Sequence, residues 1–297
     1  MEPFVIALVA GSAVLHVAWN VRLKSAGDTL LTATIGLLVG ALVIVPVGTA
    51  VWWLDGAHPL PPEGLALGLV SGLIEAIYFA LLAGAYRRGD LSVVYPIARG
   101  TAPLILVAVG VGLLGERLGT AGWIGVACLL AGFLALQRPW LAVRSALANG
   151  RRPGASGPIA FAVATGIAIA AYSTVDRVGT RLIDPLPYAA LIWLSGSLIL
   201  ATGVVVAGRG TGWRDPEVAR RAAVGGILTL VAYLLVLYAL SVAPLTAVAP
   251  LRESATVVAA AWGAVRMGEA VSRGDATRRI AASAIIVAGA ILLAVDA

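Results

Sequence analysis

Residues 78–96 read YFALLAGAYRRGDLSVVYP and residues 232–250 read AYLLVLYALSVAPLTAVAP, and this pair of stretches decides the fold. Laid over each other at an offset of 154 residues, they bring Leu81, Ala85, Leu91, Val94 and Pro96 onto Leu235, Ala239, Leu245, Val248 and Pro250. Within one residue of that offset, Trp19 falls on Tyr172, Lys24 on Arg177, and Gly115-Glu116 near Gly268-Glu269. Five identities in nineteen positions carry little in a chain rich in Ala, Leu and Val. Agreement of separate regions at one offset points to a duplication.

Each half is built from long apolar runs. Of 297 residues 60% are hydrophobic and 12% charged, with a mean hydropathy of +0.96, whereas a soluble domain carries about 25% charged residues. A soluble enzyme is thereby excluded. A bilayer core about 30 Å thick is crossed by roughly 20 apolar residues in a helix. Runs of that length, bounded by charge, Pro or Gly clusters, lie at residues 3–21, 29–53, 64–86, 91–114 and 118–137, then at 157–178, 186–208, 218–241, 244–266 and 276–295. The expected fold is an all-α integral membrane protein of ten transmembrane helices. Residues 1–137 form a first five-helix repeat, RPWLAVRSALANGRRPGAS at 138–156 a basic linker, and residues 157–297 a second five-helix repeat. Because five is odd, the second set enters the membrane from the opposite face, which makes the repeat inverted about an axis in the membrane plane. The opening run, MEPFVIALVAGSAVLHVAW, has no basic leader and offers His16 and Trp19 where a cleavage site needs small residues, so it reads as a first span that stays.

The 35 glycines would break helices in water, but in a membrane they let helices approach closely, as in the runs Gly36 to Gly40 and Gly68 to Gly72. A net charge of +6 and a pI near 10.0 suggest nucleic acid only until the basic residues are placed. Sixteen of them, from Arg22 and Lys24 through Arg87, Arg88 and the linker to Arg278 and Arg279, fall at the loops after spans 1, 3, 5, 7 and 9. Three, Arg117, Arg177 and Arg181, fall on the other side. This is the positive-inside pattern, so no nucleic-acid partner is expected, the basic face is expected to be cytoplasmic and both termini to lie outside. The lone cysteine, Cys128, and two histidines leave no internal disulfide, no CxxC site and no histidine-rich metal centre, and no cofactor is expected.

A charge at mid-bilayer costs about 2.5 to 3.5 kcal/mol even on insertion scales, so charges deep in a span are the most informative residues. Glu75 is the midpoint of the third span, Arg99 lies in the fourth, and the adjacent Arg252 and Glu253 lie near the middle of the ninth. Arg99 falls on Glu253 under the repeat offset. Buried pairs seldom add stability over apolar packing, so the four are read as lining a central cavity for a zwitterionic or charged metabolite rather than only fastening helices. Tyr78 shares a helix face with Glu75, and Tyr95 with Arg99. His16, Trp19 and Asn20 form a polar stripe in the first span, with Tyr172 and Ser173 at the equivalent place in the sixth. Interfacial anchoring is an equal alternative for Trp19 and the tyrosines, and Tyr233 and Trp193 read as able to face lipid. Glu75 is the candidate proton carrier. Histidine titrates near neutral pH and His16 can relay protons, although a lone histidine in a helix more often bonds a neighbour. Pro96 and Pro250 stand at symmetry-related places early in their spans, where a missing backbone donor lets a helix bend. Glu116 and Glu269 close spans and read as structural, bonding loop backbone or arginines.

The strings LHVAWNVRLKSAGD, RRGDLSVVYPIARGTAP running into GERL, AYSTVDRVG, and APLRESATVVAAAWGAVRMGE together resemble the EamA-type branch of the drug/metabolite transporter superfamily, over nearly the whole chain. The resemblance implies a ten-helix carrier for small metabolites, often an exporter, with its site between the two halves. It implies no particular substrate. It also implies both termini inside, against the charge count, which is followed here because the rule acts on this sequence.

The expectation is therefore a secondary transporter in the bacterial inner membrane that exports a small organic metabolite, such as an amino acid or an amphipathic amine, by alternating access. Its expected partners are that substrate and the lipid bilayer; the sequence says nothing of its oligomeric state. No GxxxxGK[ST] motif supports ATP hydrolysis. A lipid-linked sugar flippase is the alternative, and a membrane-embedded enzyme a lesser one, since neither HExxH nor GxSxG occurs.

Overall fold

The computed structural model describes residues 2–24, 28–88, 91–138, 140–141, 144, 157–208, 215–252 and 273–296. Among them the chain forms ten helices and no strand: α1 Pro3–Lys24, α2 Thr29–Leu54, α3 Pro62–Arg88, α4 Leu91–Gly112, α5 Thr120–Gln137, α6 Pro158–Gly179, α7 Pro185–Val206, α8 Pro216–Val242, α9 Leu245–Arg252 and α10 Arg273–Asp296. In lipid no water satisfies backbone donors and acceptors, so a spanning segment must bond within itself, and these apolar runs are helical for that reason. The helix starts are set by local chemistry. Asp28 caps α2, its side chain accepting from the N–H groups of Leu30 and Leu31 at 3.1 Å. Asp215 does the same for α8 toward Glu217 and Val218, and Pro216 takes the first helical position, where its missing N–H costs nothing. Threonines inside helices return their hydroxyls to the carbonyl four residues back, as at Thr34, Thr165 and Thr229.

Among the described residues, five helical stretches are long and apolar enough to cross a bilayer: α2, α3, residues Ile159–Gly179 of α6, α7 and α8. Shorter apolar stretches lie in α1, α4, α5 and α10. Leu42, Trp53, Leu54, Val205, Val206 and Val295 are exposed on the outside of the bundle, which suits a lipid-facing surface and no aqueous one.

Most packing joins the two halves. α2 lies on α7 and α5 on α10; α3 lies on α6 as α8 lies on α1, and α3 lies on α7 as α8 lies on α2. Exchanging each helix of residues 1–137 with its counterpart in 157–297 maps these pairings onto themselves. Glycine makes the crossings close. A Cβ at Gly36 would stand 3.2 Å from the carbonyl oxygen of Ala222 and from Cα of Gly226, and one at Gly72 would meet the Ile192 carbonyl at 2.6 Å and the Gly196 nitrogen at 3.0 Å. Under the 154-residue offset Gly72 is the counterpart of Gly226. Two glycine crossings, α2 with α8 and α3 with α7, thus flank the middle of the bundle. Of the linker at 138–156, only residues 138, 140, 141 and 144 are described.

Candidate functional site

Glu75 is 6% exposed at the middle of α3, and it opens onto a small cavity of about 20 Å³, enough for one water or two. His16 and Trp19 of α1, Tyr78 and Phe79 of α3, Tyr172 of α6, Tyr233 of α8 and Arg252 of α9 share its wall. The rings form one continuous chain of edge-to-face contacts: Trp19 to Phe79 at 6.1 Å, Phe79 to Tyr78 at 4.9 Å, Tyr78 to Tyr172 at 5.9 Å and Tyr172 to Tyr233 at 6.1 Å. The chain follows the repeat, because Trp19 corresponds to Tyr172 and Phe79 to Tyr233, and both corresponding pairs stand 6.1 Å apart. Arg252 donates to the Tyr172 hydroxyl at 3.1 Å. The result is a carboxylate and a guanidinium in a narrow box of aromatic side chains, where a cation gains from both charge and ring quadrupoles.

On the basic face a wide vestibule of about 260 Å³ leads down to this box. Arg22, Asp28 and Arg221 stand at its mouth, and Leu23, Thr32, Ala33, Val218, Ala222 and Gly225 line its walls. Trp19, Phe79 and Thr229 border both the vestibule and the central cavity, so they form the floor between them. The vestibule wall is also where the structure decides the place of Trp193, which the sequence leaves able to face lipid. Trp193 is 1% exposed, its indole lies over Gly40 where a Cβ would overlap it, and a glycine there is what admits the ring.

Toward the opposite face a cluster of hydrogen bonds joins residues of three helices to Asp176. Asp176, 1% exposed near the end of α6, accepts from Ser71 at 2.5 Å and Tyr188 at 3.4 Å on one carboxylate oxygen and from Tyr233 at 2.5 Å on the other. Tyr233 therefore turns inward, its hydroxyl held by Asp176, and does not face lipid. Ser71, Tyr188 and Asp176 were not among the residues singled out from the sequence. Their signal was spacing: Ser71 and Tyr78 flank Glu75 at four and three residues, and Asp176 follows Tyr172 by four, so each set shares one helix face. Asp176 escaped notice because it lies close to a span end, where charge is ordinary.

Just beyond, Glu116 in the loop after α4 accepts from the N–H groups of Leu245 and Thr246 at 2.7 and 2.8 Å and from Arg177 at 3.3 Å. A carboxylate on exposed N–H groups at a helix start satisfies orphan donors and the helix dipole together. Arg177 in turn donates to the Leu240 carbonyl at 2.5 Å. Glu116 is a clamp between the two halves, while Glu269 lies outside the described residues.

The structure brings His16, Trp19, Glu75, Tyr78, Tyr172 and Arg252 to one cavity. It does not bring Arg99 there. Arg99, 5% exposed, lines a separate small cavity with Tyr86, Ala98, Thr165 and Ile169, and Tyr78 is the wall common to both. Pro250 is buried within α9. Glu253 and the side chains of Asn20, Tyr95 and Pro96 lie outside what is described. Among the described residues no group of three His, Cys, Asp or Glu could hold a metal ion.

Residues 157–295 match the EamA-like transporter family. This match covers the second half of the chain. Over 113 residues, 36% of this chain and 35% of its relative, it is 31% identical to the uncharacterized transporter YwfM of Bacillus subtilis (strain 168). Over 70 residues, 24% of this chain and 64% of the relative, it is 39% identical to the spermidine export protein MdtI of Shigella flexneri. The same protein of Shigella dysenteriae serotype 1 (strain Sd197) is 37% identical over 70 residues. The chain thus spans about a third of the length of the first relative and just under two thirds of the other two. A crystal structure superimposes with a TM-score of 0.73 at 19% identity, covering 99% of this chain and 98% of that one, a likeness of fold. The apolar helices fit a multi-pass membrane protein, and the matched family and the relatives are transporters by name.

Proposed function

We propose that the protein is a secondary carrier, an exporter, that moves a small organic cation of the amphipathic amine kind across the bacterial inner membrane by rocking two inverted five-helix halves about the Glu75 box. One observation carries the reading: Glu75 is buried at mid-span inside a ring of five aromatic side chains, at the foot of a vestibule that opens to one face. The exchange symmetry of the helix contacts supports the inverted repeat. The relatives named spermidine export protein are named for a polyamine, which agrees with an amine as cargo. The central cavity is too small for such a cargo as it stands, so loading requires Trp19 and Phe79 to part. Glu75 is the group over which proton and cargo compete. Because Arg22 and Arg221 of the vestibule belong to the sixteen basic residues that the sequence groups at one side, we take that face as cytoplasmic and the carrier as open inward. A phosphatase fusion at Ala297 is then active outside the cell and a fluorescent fusion at Asn149 bright inside; the reverse pair would overturn the orientation.

Arg252 beside Glu75 favours a second reading, an amino acid whose carboxylate meets Arg252 and whose ammonium meets Glu75. Arg252 thereby takes the place that the sequence pattern assigns to Arg99. Melting curves of purified protein against matched amines and amino acids separate the two, since a ligand that binds only the folded state raises the apparent stability. Stabilisation by amines that weakens in Glu75→Gln and persists in Arg252→Lys supports the first reading. Stabilisation only by carboxylated partners, lost in Arg252→Lys, supports the second, and no stabilisation by either class overturns both. In vesicles, Glu75→Gln should abolish accumulation against a gradient while leaving exchange of labelled cargo.

A further inference from the structure

The walls of the open vestibule and the residues packed around Asp176 are the same positions in the two halves. α1 passes onto α6 at an offset of 153 residues through Trp19 and Tyr172, α2 onto α7 at 156 through the helix-start aspartates Asp28 and Asp184, and α3 onto α8 at 154 through the starting prolines Pro62 and Pro216. Leu23 then corresponds to Asp176, Thr32 to Tyr188, Gly225 to Ser71 and Phe79 to Tyr233. All four of the first-named line the open vestibule. All four of the second are joined by hydrogen bonds at Asp176.

We propose that Asp176, Ser71, Tyr188 and Tyr233 are the shut gate of a second vestibule, the counterpart of the open one, and that protonation of Asp176 from that face releases it. This rests on the alternating-access part of the reading above and not on the identity of the cargo. Three hydroxyl donors on one carboxylate are charge-assisted bonds, roughly twice as strong as neutral ones, and a neutral carboxyl group keeps only the weaker kind. The gate ties the halves together, because Ser71 belongs to α3 in the first half and the other three to α6, α7 and α8. Glu75 and Tyr78 of α3, Tyr172 of α6 and Arg252 of α9 are the other titratable or charged groups of the neighbouring cavity, with His16 of α1 on its far wall. Glu75 and His16 are the two whose titration a pH response must be separated from. The asymmetry has a purpose in such a carrier: the face that carries Leu23 opens without regard to pH, and the face that carries Asp176 opens in response to acid.

Ala189, fully buried in α7, corresponds to Ala33 on the wall of the open vestibule. In a Cys128→Ala background, the rate at which a membrane-impermeant thiol reagent labels Ala189→Cys, divided by its rate for Ala33→Cys at the same pH, reads the gate and cancels the reagent's own pH dependence. The ratio is expected to rise on the order of tenfold on acidification, as one charge-assisted bond is lost. With Asp176→Asn added it is expected to be high and flat with pH, while Glu75→Gln and His16→Asn leave the rise in place. Tyr233→Phe and Ser71→Ala, each removing one donor, should raise the ratio several-fold even if Asp176→Asn does not fold. A ratio that stays low in folded Asp176→Asn or in both donor variants overturns the gate, as does a pH response that disappears with Glu75→Gln instead. Absence of amine binding, by contrast, would remove the cargo assignment and leave this result standing.

Discussion

The two faces of the bundle are lined by helices that correspond under the sequence offset, and they differ in what stands between those helices. On α3 the stripe that packs against the second half is Gly64, Gly68 and Gly72; on α8 the corresponding positions are Val218, Ala222 and Gly226. On the Asp176 face the three glycines let α3 sit directly on Ile183, Leu191 and Ser195. On the basic face Val218 and Ala222 keep side chains between the helices, and those side chains line the vestibule. In the proposed inverted repeat, a few substitutions on matching stripes are what make the scaffold directional. Glycine stripe and carboxylate lie on one face; larger side chains and Leu23 lie on the other.

The largest expected effect comes from filling the closed face. A Cβ on Gly72 overlaps Ser195 and stands 2.6 Å from the Ile192 carbonyl, whereas one on Gly225 meets nothing within 4 Å. Gly72→Ala should cost about 1–3 kcal/mol by overpacking, seen as a lower melting temperature or loss of monodisperse protein, and Gly225→Ala should be close to neutral. Equal effects would remove the contrast between the faces. Next comes the clamp: Glu116→Gln loses the charge that holds the start of α9 and Arg177, at a cost of about 1–3 kcal/mol. Its melting temperature should fall without any change in amine binding. The sharpest test of the comparison combines Val218→Gly and Ala222→Gly, which give α8 the stripe of α3. Glycine in a helix costs about 1 kcal/mol relative to alanine, and labelling of Ala33→Cys should slow several-fold as the vestibule closes.

Much of this was legible in the residues, in an uneven way. Helix existence followed from run length, and the ends of the described helices stay within three residues of the expected ones, apart from α9, whose described part ends at Arg252. Glu75 announced itself because a carboxylate at mid-span is costly and has few ordinary reasons to be there. Asp176 did not, because three hydroxyls from α3, α7 and α8 make its burial tolerable, and no local pattern in one helix announces partners on three others. The sequence leaves Tyr233 and Trp193 able to face lipid for the same cause: whether an aromatic ring in a span turns out or in depends on a hydroxyl acceptor or a glycine on the facing helix.

The central claim is that the two vestibules alternate. With spin labels on Arg22→Cys and Arg221→Cys at the mouth of the open one, and separately on Glu63→Cys and Leu182→Cys across the closed face, both in a Cys128→Ala background, the two distances can be followed as an amine that raises the melting temperature is added under acid conditions. The account predicts that the first distance shortens as the second lengthens. Two distances that move together, or that both stay fixed while the ligand is bound, would contradict it.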